Sequence, residues 1–226
     1  MKIQILAVAL LVSTLALAHA DPKPLSVAKV PVRADAPALF APRGWKIEKR
    51  ISGNLNADKL ADAALVLVEN KPVKGADGSP TARQRALVVL LREGKGWHRV
   101  GFNGELLPGT RDGGAFYGMV ETPVDVSIAR SNVVVHAEAG SREVSNSTQL
   151  LRYIPAKKGV YLIGLDTSTN DRATGDVVST SSNFLTGVKR TATFKGKSNK
   201  GKTKTSSVSK KLRSLESLRE TDRFAE

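Results

Sequence analysis

The chain contains no cysteine. That absence excludes a disulfide framework, thiolate nucleophiles, cysteine-ligated metals and lipid attachment through a cysteine. The domain must be stabilised by its core, and 226 residues suffice for a sizeable one. Histidine is almost as scarce: of the three, His19 lies in the N-terminal segment, which leaves His98 and His136. There is no G-x-S-x-G elbow, no H-E-x-x-H pair and no phosphate-cradling glycine loop. These absences weigh against an enzyme. Beyond residue 20 no apolar run approaches the roughly 18 residues needed to span a bilayer, so a soluble, non-spanning mature chain is expected.

What is present begins with an address. Met1 and Lys2 make a short basic start, residues 3–18 are almost unbroken apolar sequence, and Ala18-His19-Ala20 places small residues at the −3 and −1 positions of a cleavage site. This pattern predicts a secretory signal peptide over residues 1–20 and a periplasmic or secreted protein, on a bacterial export route.

Charge is unevenly distributed. The formal net charge is +14, from 35 Lys+Arg and 21 Asp+Glu. Residues 188–226 carry 12 basic and 4 acidic side chains, whereas residues 21–187 carry 22 and 17. Within the basic tail, 195–226, Lys195, Lys197, Lys200, Lys202 and Lys204 alternate with Gly, Ser and Thr. Such low-complexity sequence is expected to be disordered over 195–209. It would contact polyanions through counterion release, with steep salt dependence and no sequence reading. Phe194 is the only aromatic nearby to stack a base, so a specific nucleic acid is not the expected partner. In an exported chain the expected partner is an anionic cell-envelope polymer or another envelope protein; a merely solubilising tail is the alternative. Residues 210–224 suggest a short helix with Leu212, Leu215 and Leu218 along one side and Ser209 as N-cap.

The body reads as strands. Five prolines in residues 21–43 mark an extended leader, with one helical turn at 36–40. From Trp45 the apolar period becomes two. Strands are expected at 45–52, 63–69, 85–92, 97–102, 124–128, 132–139, 149–154, 160–166, 177–182 and 191–194. The run RALVVLLR is apolar on both faces and should lie centrally, with the turn at 93–96 leading to its hairpin partner. The glycine-rich stretch 103–118 reads as a long connection with Phe116 in the core, and 167–176 as a polar loop. The expected fold is all-β and mainly antiparallel, a single sandwich-like or strongly bent sheet domain over 44–194.

One stretch carries a spacing that suggests chemistry. Asn54, Asn56, Asp58 and Asp62, with the Leu60 carbonyl between the last two, place oxygens at alternate positions, as calcium loops do. Residues 53–68, GNLNADKLADAALVLV, resemble the loop-and-strand motif of FG-GAP/VCBS-type secreted β proteins. The resemblance implies a metal-capable loop, with calcium as the cofactor, feeding a buried strand. It departs from the motif where Asn54 replaces an aspartate and where Ala57 and Lys59 replace glycines. An Asx-turn loop that registers the following strand is the other reading of the same residues. The wider order of segments, ending in YLIGLD and SSNFLTG, is similar to bacterial exported β-rich proteins and implies no activity.

Further candidates are His136 with Glu138, two apart on one strand face and suited to acid–base work. Asp166, Asp171 and Asp176 would serve glycosidic chemistry if they gathered in one cleft. The loop residues Arg111, Asp112, Phe116 and Tyr117 would suit a ligand contact. Three functions follow as expectations: a non-enzymatic exported binding domain with a polyanion-seeking tail, an envelope hydrolase with a carboxylate site, or a calcium-stabilised structural module.

Overall fold

The apolar runs decide the layering. β3 (Asp62–Glu69) and β4 (Arg85–Glu93) are buried over almost their whole length because both of their faces are covered. Ala64, Val66, Leu87, Val89 and Leu91 project into one core; Ala63, Leu65, Leu67, Ala86, Val88 and Leu90 project into another. The two-residue repeat of a strand imposes this division. The computed structural model describes residues 23–75, 78–196 and 200–224. The expected signal peptide and Lys197 lie outside the described residues.

Two antiparallel sheets form a sandwich, as the strand pattern predicts. The smaller has the order β1 (Arg33–Ala34), β5 (Gly96–Asn103), β4, β3, β2 (Trp45–Gly53), with β4 at its centre. The larger runs β12 (Lys202–Ser207), β11 (Val188–Phe194), β10 (Asp176–Asn183), β9 (Gly159–Asp171), β8 (Glu143–Ile154), β7 (Asn132–Gly140), β6 (Asp125–Ala129). A short β13 (Arg213–Ser214) pairs with β9. The core between the sheets takes Val126, Val133, Val135, Leu151, Val160 and Leu162 from the larger one.

The proline-rich leader is a third layer. Leu25, Val30 and Phe40 close the second core over the outer face of the small sheet. Pro37–Phe40 forms one 3₁₀ turn, and the Arg99 side chain donates to the Val27 carbonyl (2.9 Å). Gly104 permits this approach: a Cβ there would lie 2.4 Å from the Leu25 carbonyl oxygen. Arg85, buried, secures the opposite side of the small sheet. It grips Glu48 through two bonds of 2.6 and 2.8 Å, and donates to the carbonyls of Pro108 and Thr122. The register of β2 shifts between Ile47 and Lys49, at a bulge that includes Glu48.

Four expectations need correction. The segment 202–207 is not disordered: KTKTSS pairs with β11 from Val188↔Ser207 to Thr193↔Lys202. It has no apolar face, so composition conceals it, but backbone pairing and threonine's β-preference suffice at a sheet edge. Residues 210–224 form no α-helix. β13 leads into 3₁₀ turns at Leu215–Ser217 and Glu220–Arg223, while Leu215 and Leu218 are fully buried between the sheets and Leu212 is not among the core residues. Tertiary donors replace helical bonding there: the Asn103 amide donates to the carbonyls of Leu215 (2.6 Å) and Leu218 (2.9 Å). The polar loop expected at 167–176 is largely strand, since β9 and β10 continue past the core as a Ser/Thr-rich hairpin. Phe116 is 41% exposed; Leu106 and Leu107 are the residues of that connection that enter the core. Among the described residues no helix is long and apolar enough to cross a membrane.

Candidate functional site

The loop from Asn54 to Asp62 is closed by its own polar groups. The Ala57 N–H donates to Asn54 Oδ1 (2.6 Å), the Asp58 N–H to Asn56 Oδ1 (3.2 Å) and the Leu60 N–H to Asp58 Oδ1 (2.7 Å). The Asn54 amide donates to the Asp58 carbonyl, and the Asn56 amide to Asp58 Oδ2 (2.9 Å). Asp62 is fully buried and accepts from the Leu55 N–H (2.7 Å) and, across to the end of β4, the Arg92 N–H (2.9 Å). Burial pushes its carboxyl above the ordinary aspartate range, while these two donors pull the other way.

The loop is tied together by its own groups: both asparagines donate through their amide nitrogens to Asp58, one to its carbonyl and one to its carboxylate. Among the described residues no group of three or more His, Asp or Glu converges. Ala57 sits at φ +64, the left-handed conformation that the resembled motif assigns to glycine. Ala57→Gly should therefore raise stability by about 0.5–1 kcal/mol, seen as a higher urea midpoint at unchanged slope.

The three aspartates do not gather. Asp171 and Asp176 face each other across the β9–β10 turn, but each has its own cation. Arg142 forks onto Asp171 (2.8 and 3.2 Å) and, with the Ala173 N–H, holds its carboxyl far below the usual range. Lys195 lies 2.5 Å from Asp176 and, with the Gly196 N–H, lowers that carboxyl too. Asp166 is five residues back along β9, about 17 Å away. His136 and Glu138 share a face but not a bond: His136 Nδ1 meets Thr148 Oγ1 (3.1 Å), and Glu138 accepts from the Tyr117 hydroxyl (2.9 Å). Burial, then Glu138, raises the Tyr117 pKa. His98 is half-buried and bonds Glu93 (2.8 Å).

Register places residues that spacing alone does not connect. His136, Thr148, Asp166, Ser181 and Arg190 are successive neighbours across β7 to β11. They form one row on the face of the large sheet turned away from the core. Arg190, Ser181 and Thr148 are not singled out by the sequence. For Thr148 and Ser181 the only signal is the Ser/Thr density of SNST and STSS, which gains meaning once the pairing is known.

Part of the basic segment, residues 202–207, is paired as strand. Lys202 and Lys204, two apart on β12, share one face of an exposed edge strand, and Thr203 and Thr205 take the other. Lys195 is committed to Asp176, and Lys200 lies just ahead of β12. Compared with known proteins, the chain significantly matches no protein family, no curated protein and no solved structure.

Proposed function

We propose that the protein is an exported, non-enzymatic binding domain that holds anionic polymers of the cell envelope against the β11–β12 edge. One observation carries the reading: residues 188–211 contain nine Lys or Arg and no Asp or Glu, and two stretches of them, β11 and β12, are paired as antiparallel strands. Lysines two apart on a strand sit about 7 Å from one another, and pairing fixes their side chains to one face. Ordering before contact lowers the entropy lost on binding. A carboxylate hydrolase has less support, because Asp171 and Asp176 are each neutralised by a cation.

The test is retention on immobilised polyphosphate across a salt series. Replacing Lys202 and Lys204 by Glu should reduce the slope of log affinity against log salt by about two. Lysines on an edge strand also guard it against pairing with other chains. If the double variant keeps its retention but aggregates, guarding is their role and the polymer reading fails.

A further inference from the structure

We propose that the outer face of the large sheet is a second binding site, a groove for an uncharged or weakly charged oligosaccharide. The groove has a volume of about 550 Å³ and is floored by two adjacent rows of side chains. The first is the row from His136 to Arg190. The second is Asn146, Ser168, Ser179, Ala192 and Thr203, one step along the same strands. From β7 to β12 the floor spans about 24 Å, at roughly 4.8 Å per strand. That length suits a chain of several rings better than a single small molecule.

The chemistry of the floor selects the ligand class. Asp166 is exposed and Arg190 is exposed; neither has an ion pair with any described residue, and Ser181 stands between them in the row. A simple anion drawn to Arg190 would meet Asp166, and a simple cation drawn to Asp166 would meet Arg190. A polyol escapes this conflict, because each hydroxyl both donates and accepts. Asp166 accepts from one pair of hydroxyls, the Arg190 fork donates to another, and Asn146 with the serines does both. Thr148, Thr203 and Ala192 add methyl groups against which the C–H face of a sugar ring packs. No Phe, Tyr or Trp lines the groove, so affinity should be on the order of 1 mM.

The groove is distinct from the basic edge. Along β12 the lysines occupy one face and Thr203 the other, so the two sites sit on opposite sides of one strand. Each can fail alone.

The experiment is an amide chemical-shift titration of the intact protein with maltotetraose, chitotetraose and tetragalacturonate, each at about 10 mM. Maltotetraose or chitotetraose should move the amides of Thr148, Asp166, Ser181 and Arg190. Asp166→Ala and Arg190→Ala should each weaken that binding about tenfold or more, as expected for a lost hydrogen bond to a charged group. Both side chains are exposed, so the variant spectra should otherwise superimpose, which separates lost binding from lost folding. Lys202→Glu with Lys204→Glu should leave it unchanged. The proposal is overturned if no sugar shifts the groove, or if both alanine variants bind as before. It is also overturned if tetragalacturonate alone binds, since the ligand would then be a polyanion; loss of that binding in the lysine double variant would assign it to the basic edge.

Discussion

Leu215→Ala combined with Leu218→Ala should come close to unfolding the protein, although both residues lie in a basic C-terminal stretch that composition assigns to a tail. Both side chains are fully buried in the core between the sheets, against residues of β5 and β9. A buried Leu→Ala change costs about 2–5 kcal/mol, and two changes sharing one cavity lose somewhat less than the sum. A combined loss of about 4–7 kcal/mol is comparable with the whole stability of an ordinary domain, about 5–15 kcal/mol. The anchoring around these leucines makes local detachment an inadequate escape. Asn103 holds their carbonyls, and buried Arg223 donates to the carbonyls of Glu105 (2.9 Å), Leu106 (2.7 Å) and Leu107 (2.9 Å). Urea unfolding followed by circular dichroism decides. A midpoint that does not move would mean that the segment does not belong to the core. Leu212→Ala is the internal control: Leu212 is only half-buried and outside that core, so its loss should cost about 1 kcal/mol or less.

The same contrast shows what was legible. Alternation in residues 45–52 and the doubly apolar runs of β3 and β4 expose the sandwich and the central strand directly, because burial on one or two faces leaves a two-residue signature. Leu215 and Leu218 leave none. Their spacing of three suits a helix, and only the Asn103 amide and Arg223 guanidinium, more than a hundred residues and a handful of residues away respectively, decide for irregular turns. β12 and the outer half of β9 are invisible for another reason. Neither face of them is buried in apolar core, so KTKTSS and DTSTND read as loop although they are ladder. The groove inherits this limitation. Its residues come from six strands, and no spacing within one strand links Asp166 to Arg190.

The loop tells the reverse story, where the residues the sequence marks are the ones that hold the loop together by their own hydrogen bonds. Asp62→Ala should cost about 2–5 kcal/mol, because it leaves the N–H groups of Leu55 and Arg92 facing a buried void. Asp62→Asn is the sharper variant. Both carboxylate oxygens accept from backbone donors, so an amide nitrogen must point at one N–H or the other, and the loss should approach that of alanine. Were Asp62 instead a calcium ligand, both variants would lose stability only in the presence of calcium, and calcium would raise the melting midpoint of the unaltered protein. The geometry predicts equal midpoints in calcium and in chelator, and an undiminished cost of Asp62→Asn in both. The reason lies in what a buried carboxylate can serve at once. Asp62 joins the start of β3 to the end of β4 and to the loop before it. Alanine releases both of these N–H groups and asparagine at least one, whether or not calcium is present.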